Sequence, residues 1–165
     1  MIELELNPLT DLKREGKSFY WASFFLPRNS KIKAGILYSI CRHFDDIADK
    51  HNKDQTTYLK KSIEEIKKNK ENKVNIFLQK NKIDNAIFID LIEGLILDQK
   101  KTVIQNKNEL IQYSYHVAGT VGLMMSKIIG VKHKNAAKSS IDLGIGMQLT
   151  NIARDVYEDS KIGRI

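Results

Sequence analysis

The stretch AGILYSICRHFDDIAD, residues 34–49, sets the terms for the whole chain. Its apolar residues Ile36, Leu37, Ile40, Phe44, Ile47 and Ala48 gather on one side of a helix. At about 100° per residue, Tyr38, Arg42, Asp45 and Asp49 share a separate sector about 60° wide. Like charges four residues apart on a helix repel by about 0.2–0.5 kcal/mol per pair. A helix with a core-facing side therefore carries an Asp-x-x-x-Asp pair at a local cost. Read alone, the stripe fits an ordinary solvated face as well as a binding site.

A second stretch, GMQLTNIARDVYEDSKIGRI at residues 146–165, has the same pattern. Gln148, Asn151, Asp155 and Asp159 fall within about 80° of one another on a helix, with Gly144 on the same face. That stripe holds only oxygen-bearing side chains. A solvated face in so lysine-rich a chain would be expected to carry Lys, and this one carries none. If the two helices face each other, the space between them needs cations. Mg²⁺ suits it, because it takes a few carboxylates and completes its octahedron with water and phosphate oxygens.

The remaining composition narrows the partners. The chain has 165 residues, a net charge of +7 and 42% hydrophobic residues, enough for one domain spanning 1–165 with its own core. Between Lys50 and Lys82, ten lysines stand against Asp54, Glu64, Glu65 and Glu71, so nearly all the excess charge lies in one segment. This reads as a solvated helical surface, with attraction to an anionic membrane as the second reading. Nucleic acid is not expected, because the lysines lack interleaved Arg and aromatic residues. The single Cys41 excludes an intramolecular disulfide and reads as a small core residue in a reducing compartment. No apolar run suits a signal peptide or a membrane span.

Both prolines, Pro8 and Pro27, come early, and no alternating β-branched run supports a strand. The pattern predicts an all-α chain. Helices are expected over about 11–25, from Asn29 or Ser30 to Lys50, from Asp54 to Lys70, and around 75–78. Others run from Asp84 to Lys100, from an Asn108 cap to Gly130, and from Lys134 to Ser160. The apolar residues Val117, Val121, Leu123, Met124, Met125, Ile128 and Ile129 cover more than one face of the 113–130 helix. Part of that helix is therefore expected to be exposed if few helices surround it.

Four segments resemble, in order, the squalene/phytoene synthase family. They are Ser18-Phe19-Tyr20-Trp21 with Leu26-Pro27, LYSICRHFDDIAD, YSYHVAGTVGLMM and QLTNIARDVYEDSKIGRI. The resemblance is closest to bacterial phytoene synthases. It implies the isoprenoid synthase helical bundle with a central cavity. It also implies head-to-head condensation of two geranylgeranyl diphosphates to phytoene, through a cyclopropyl diphosphate. Carried over, Asp45, Asp49, Asp155 and Asp159 are the acidic motifs that hold Mg²⁺ (Mn²⁺ as a substitute), with Asn151 as a further ligand. Arg42 and Arg154 grip phosphate, Gln148 adds a contact, Ser18 and Phe19 line the first substrate, and Tyr38 and Tyr113 touch diphosphate. Asp98 stands where the family carries a cavity-facing acid, but a helix end exposed to solvent explains it equally well.

Other residues beside the motifs admit plainer readings. Ala118, Gly119 and Gly122 either leave room for a prenyl tail or let another helix come close. Met124, Met125 and Met147 suit a wall against flexible chains, or core filling. His43 and His116 read as packing residues.

The family continues past the region where this chain stops. The resemblance thus implies a C-terminally truncated bundle, needing further helices or a complementary chain. It places the protein in the cytoplasm, with peripheral contact at the inner face of the membrane to deliver a hydrocarbon. The runner-up activity is a presqualene diphosphate or squalene synthase acting on farnesyl diphosphate. A rival of another class is a non-catalytic relative, such as a respiratory-complex assembly factor, for which eroded acidic motifs would be expected.

Overall fold

The computed structural model describes residues 2, 6–50, 53–99 and 104–161, the side chains of Glu158 and Asp159 excepted. The helices in chain order are α1 (Pro8–Glu15), α2 (Lys17–Ala22), α3 (Arg28–Ala48), α4 (Lys53–Lys67), α5 (Lys73–Lys80), α6 (Asn85–Asp98), α7 (Lys107–Ser114), α8 (Thr120–Ile129) and α9 (Ala136–Lys161). A 3₁₀ turn, Ser23–Phe25, follows α2, and a π-helical turn, Tyr115–Gly119, joins α7 to α8. No strand occurs among the described residues, in agreement with the all-α expectation.

The core follows the apolar periodicity. Leu37, Ile40, Phe44 and Ile47 of α3 are buried at successive steps of three and four residues. They meet Leu59, Ile63 and Ile66 of α4, Phe88, Leu91, Ile92 and Leu95 of α6, and Met124 and Ile128 of α8 in one cluster. The Phe44 and Phe88 rings pack edge to face at 5.4 Å, which adds about 0.5–1.5 kcal/mol to their burial.

Local chemistry sets most helix ends. Asn72 caps α5 and Asp84 caps α6, each accepting a backbone N–H at 2.9 Å. The helix expected to start at an Asn108 cap is instead capped by Asn106, whose Oδ1 accepts from the Glu109 N–H at 3.0 Å. Glu109 reaches back to the Gln105 N–H at 2.9 Å, so the Asn106-x-x-Glu109 spacing forms a reciprocal cap that Asn108 has no partner to make. Gly130 ends α8 in the left-handed conformation, φ 77°, which favours glycine.

The single helix expected over 11–25 is two. Gly16 separates α1 from α2, and a Cβ there would lie 2.9 Å from the Tyr38 ring. The kink lets the Tyr38 ring pack against the backbone and brings α1 beside α3. Gly35 lies against Pro8 in the same way.

The small-residue run resolves as helix packing. A Cβ on Gly122 would collide with the Ser140 carbonyl oxygen, and one on Gly144 with that of Ala118. The α9 backbone thus touches α8 at Gly122 and the π-helical turn at Gly144. The expected exposure of apolar side chains on 113–130 is also corrected. Met124 and Ile128 are buried, and of its apolar side chains only Ile129 is exposed. The most exposed apolar residues lie instead on α9, at Leu143, Val156 and Tyr157, and at Trp21 and Phe25, with Met147 also exposed. Among its described residues α9 buries only Gly144. None of the described helices is long and apolar enough to cross a membrane.

If the glycine crossing holds α9 in place, Gly144→Ala should cost about 1–3 kcal/mol of stability, as overpacking does. A denaturant melt reads this directly. An unchanged midpoint would show that α9 is not held there.

Candidate active site

Three acids crowd the C-terminal end of α3. Asp45 and Asp46 sit in its last turn and Asp49 is its C-cap, with no basic residue in that turn. The C-terminus of a helix carries partial negative charge, where carboxylates are disfavoured and cations favoured. Asp98 adds its charge from α6. Gln99 fixes the arrangement: its side-chain N–H donates to the Ala48 carbonyl at 3.0 Å, and its Oε1 accepts from Thr56 Oγ1 at 2.7 Å. The end of α3 is thereby tied to α6 and α4.

Burial pushes the Asp45 carboxyl up to about 6, with the Asp49 charge acting the same way; Arg42 opposes this, and Asp46 and Asp98 add to it. Burial is thus the first cause of the shift, and the neighbouring acids and Arg42 act on it in opposite directions. The Arg42 guanidinium lies in a basket of carboxylates. Its NH1 donates to Asp45 Oδ2 at 2.9 Å, its NH2 pairs with Asp46 Oδ1 at 2.7 Å, and its Nε lies 2.9 Å from Glu15 Oε2. The Nε contact lacks the alignment of a hydrogen bond, which leaves a buried donor without a hydrogen-bond partner. Tyr38 stands beside this group with its hydroxyl pKa raised, chiefly by burial, and its ring is 6.3 Å from that of Phe19. Thus Phe19, Tyr38, Arg42, Asp45, Asp49 and Asp98 belong to one neighbourhood. Ser18 is exposed on α2 next to Phe19.

The second group lies on α9. Gln148 is half-buried and Asn151 exposed. Arg154 forks onto its neighbour Asp155 with bonds of 2.6 and 2.7 Å, which lowers the Asp155 carboxyl below its ordinary value. The Asp159 side chain lies outside the described residues. Both α3 and α9 pack against α8, which is the element common to the two acidic groups. Tyr113 is half-buried in the last turn of α7, just before the π-helical turn, and that turn also packs against α9. Beside it, Tyr115 donates to Asp90 Oδ2 at 3.1 Å, and His116 Nδ1 lies 3.0 Å from the Asp90 carbonyl. His43 packs edge to face on Phe44, so both histidines serve packing. Burial raises the Cys41 thiol to about 12, which favours the protonated form.

Among the described residues, no three acidic, His or Cys side chains gather closely enough to hold an ion unaided. The donor set nonetheless fits Mg²⁺. It is all oxygen, sits at the negative end of a helix, and gathers the charges of Asp45, Asp46, Asp49 and Asp98. Mg²⁺ ordinarily uses one or two carboxylates with water and substrate phosphate rather than a protein cage. Two acids escaped the sequence reading as partners of Arg42. Asp46 was legible as an i,i+4 pair, whereas Glu15 is joined to Arg42 only by the packing of α1 on α3.

The raised Asp45 pKa has a consequence for stability. A carboxyl that binds its proton more tightly in the folded than in the unfolded state destabilises the fold when ionised. Stability should therefore rise as pH falls from about 7 toward about 4 in the metal-free protein, in the part due to Asp45. Asp45→Asn should melt higher than wild type at pH 7 and lose that part of the pH dependence. Parallel melting curves for the two proteins across this range would contradict the assignment.

The squalene/phytoene synthase family model matches residues 12–165. A 15-cis-phytoene synthase from Paracoccus sp. is 29% identical over 99% of this chain and 60% of its own length. The chloroplastic phytoene synthase 1 of Zea mays is 32% identical over 90% of this chain and 40% of its own. A crystal structure of a dehydrosqualene synthase in complex with ligand superposes with a TM-score of 0.83 at 30% identity, covering 95% of this chain and 58% of that one. The chain spans about 60% or less of the lengths of these relatives. With its helical bundle and two acid-bearing helices flanking α8, the chain belongs to the squalene/phytoene synthase family.

Proposed function

We propose that this chain supplies the diphosphate-binding half of a prenyltransferase that joins two geranylgeranyl diphosphates head to head, giving phytoene. The observation that carries this reading is the acidic end of α3, where Asp45, Asp46 and Asp49 gather at the negative end of a helix with no basic residue in its last turn, and Asp98 adds its charge from α6. A structural helix end gains nothing from such an arrangement, whereas one that takes up cations with a diphosphate does. The phytoene synthases among the relatives support the substrate class.

In this reading Asp45 and Asp49 on α3, with Asn151, Asp155 and Asp159 on α9, hold Mg²⁺ ions, with Mn²⁺ as a substitute. Bound there, the ions would supply charge neutralisation for the departing diphosphate. Arg42 and Arg154 then exchange carboxylate for phosphate oxygens, keeping bidentate geometry. Gln148, Tyr38 and Tyr113 donate hydrogen bonds to the same oxygens. Ser18 and Phe19 line the first substrate, and the Phe19 ring would offer its face to the allylic cation. The second chain attacks that cation, a proton leaves, and a cyclopropyl diphosphate forms. Loss of its diphosphate, rearrangement and loss of a second proton give the hydrocarbon, so two diphosphates and two protons depart and no reductant is consumed.

Carbocations require exclusion of water. The apolar side chains that α9 leaves exposed, Leu143, Met147, Val156 and Tyr157, call for further helices or a complementary chain to close the cavity. The setting is cytoplasmic, with peripheral membrane contact for release of the hydrocarbon. The dehydrosqualene synthase resemblance favours a second reading, a presqualene- or squalene-type condensation of farnesyl diphosphate.

Incubation of the full-length protein with Mg²⁺ and each prenyl diphosphate, followed by product identification, separates these readings. A C40 product from geranylgeranyl diphosphate is expected, with turnover falling by about a hundredfold or more in Asp45→Asn, as loss of charge stabilisation does. A C30 product from farnesyl diphosphate alone would select the second reading. Equal turnover in wild type and variant would remove the metal-binding role of Asp45.

A further inference from the structure

Arg42 is shared by three carboxylates that come from two helices. Asp45 and Asp46 belong to its own helix, and each pairs with one terminal nitrogen of the guanidinium, at 2.9 and 2.7 Å. Glu15 comes from α1 and takes the opposite edge, Nε, at 2.9 Å. The group offers five N–H donors in a rigid plane, so its two edges can serve two different anions at once. The Nε edge is also where alignment is poor, since Nε is buried without a hydrogen-bond partner. A guanidinium drawn to three acids cannot align with all of them, and its strongest contacts now lie on the terminal edge.

The placement of Glu15 is built into the fold. It is the last residue of α1, and Gly16 follows at the kink beneath the Tyr38 ring. The start of α1 packs on Gly35, and Ser39 Oγ donates to Asp11 Oδ2 at 2.7 Å, so α1 is fastened along α3 at two further points. Arg14 balances the charge of Glu15 from outside at 2.7 Å. Glu15 is thus held by contacts that do not depend on what happens at Asp45.

We propose that Glu15 is a positioning residue for Arg42: it holds the Nε edge of the guanidinium so that the terminal edge, released by Asp45 and Asp46, presents both nitrogens to a diphosphate. This rests on the diphosphate-binding reading of the site. Cations arriving at Asp45 compete with Arg42 for the same carboxylate oxygens. Without Glu15, Arg42 would swing freely on a long side chain once released. With it, the fork stays at the mouth of the acidic site, and its Nε gains the aligned partner it now lacks.

The test is calorimetric titration of inorganic pyrophosphate in the presence of Mg²⁺, in wild type, Glu15→Gln, Arg42→Lys and the double variant. Gln is isosteric with Glu, and melting curves without ligand check that each variant is folded. Glu15→Gln should weaken pyrophosphate binding about tenfold, the scale of one charge-assisted contact. In the Arg42→Lys background, which keeps the charge but not the fork, the same substitution should change binding less than about twofold. Unchanged binding in Glu15→Gln, or an equal loss in both backgrounds, would overturn the positioning role and leave the site reading standing. Absence of Mg²⁺-dependent pyrophosphate binding in wild type would sink both.

Discussion

Three carboxylates at the negative end of α3 are the constraint around which the rest is arranged. Asp45, Asp46 and Asp49 occupy a helix end with no basic residue in its last turn, where the helix dipole already places partial negative charge. The arrangement persists because the remainder of α3 is anchored firmly. Phe44 is fully buried against Phe88, Ile47 and Ala48 enter the core, and Gln99 takes the Ala48 carbonyl. The apolar side of the helix stabilises what its polar stripe opposes. Arg42 partly offsets the repulsion, while burial first and the neighbouring acids second raise the Asp45 carboxyl.

The wall built by α9 is different. α9 is held by close backbone contact at Gly122 and Gly144, with Ile141 and Ile145 over Gly119, and it leaves Leu143, Val156 and Tyr157 exposed. Such a helix has one fixed line of contact and an apolar surface in want of cover. The π-helical turn at Tyr115–Gly119 lies on the same wall, where an extra residue per turn shifts the face that follows it. Its anchors are Asp90, which meets Tyr115 and His116, and Gly94, which lets His116 come close. One wall is thus rigid and charged, the other closely crossed and partly bare.

Much of this was legible in the residues. The all-α character, the apolar face of α3 and the two Asp-x-x-x-Asp stripes follow from periodicity alone. Boundaries failed where tertiary contact decided them. The break at Gly16 depends on the Tyr38 ring, a residue on another helix. The Asn106 cap was readable from its spacing to Glu109, but Asn108 offered the same residue type two positions on. The role of Glu15 was hidden because a charged residue at the end of a short helix looks solvated until α3 is packed beside it. Asp98 was ambiguous for the same reason, and only the meeting of α6 with α3 puts its charge beside Asp45. The exposed apolar surface was expected on the wrong helix, because Met124 and Ile128 find partners on α3 and α6 whereas the outer face of α9 finds none among the described residues.

The account stands on the claim that the α3 and α9 acids act together on cations bound with a diphosphate. Anomalous diffraction from crystals of the full-length protein grown with Mn²⁺ and pyrophosphate tests it most directly. The account predicts manganese peaks at coordination distance from Asp45 and from Asp155, bridged by the phosphate oxygens, with Arg42 turned from Asp45 toward the phosphate. Manganese found elsewhere, or Arg42 still paired with Asp45 beside an ordered pyrophosphate, would contradict it.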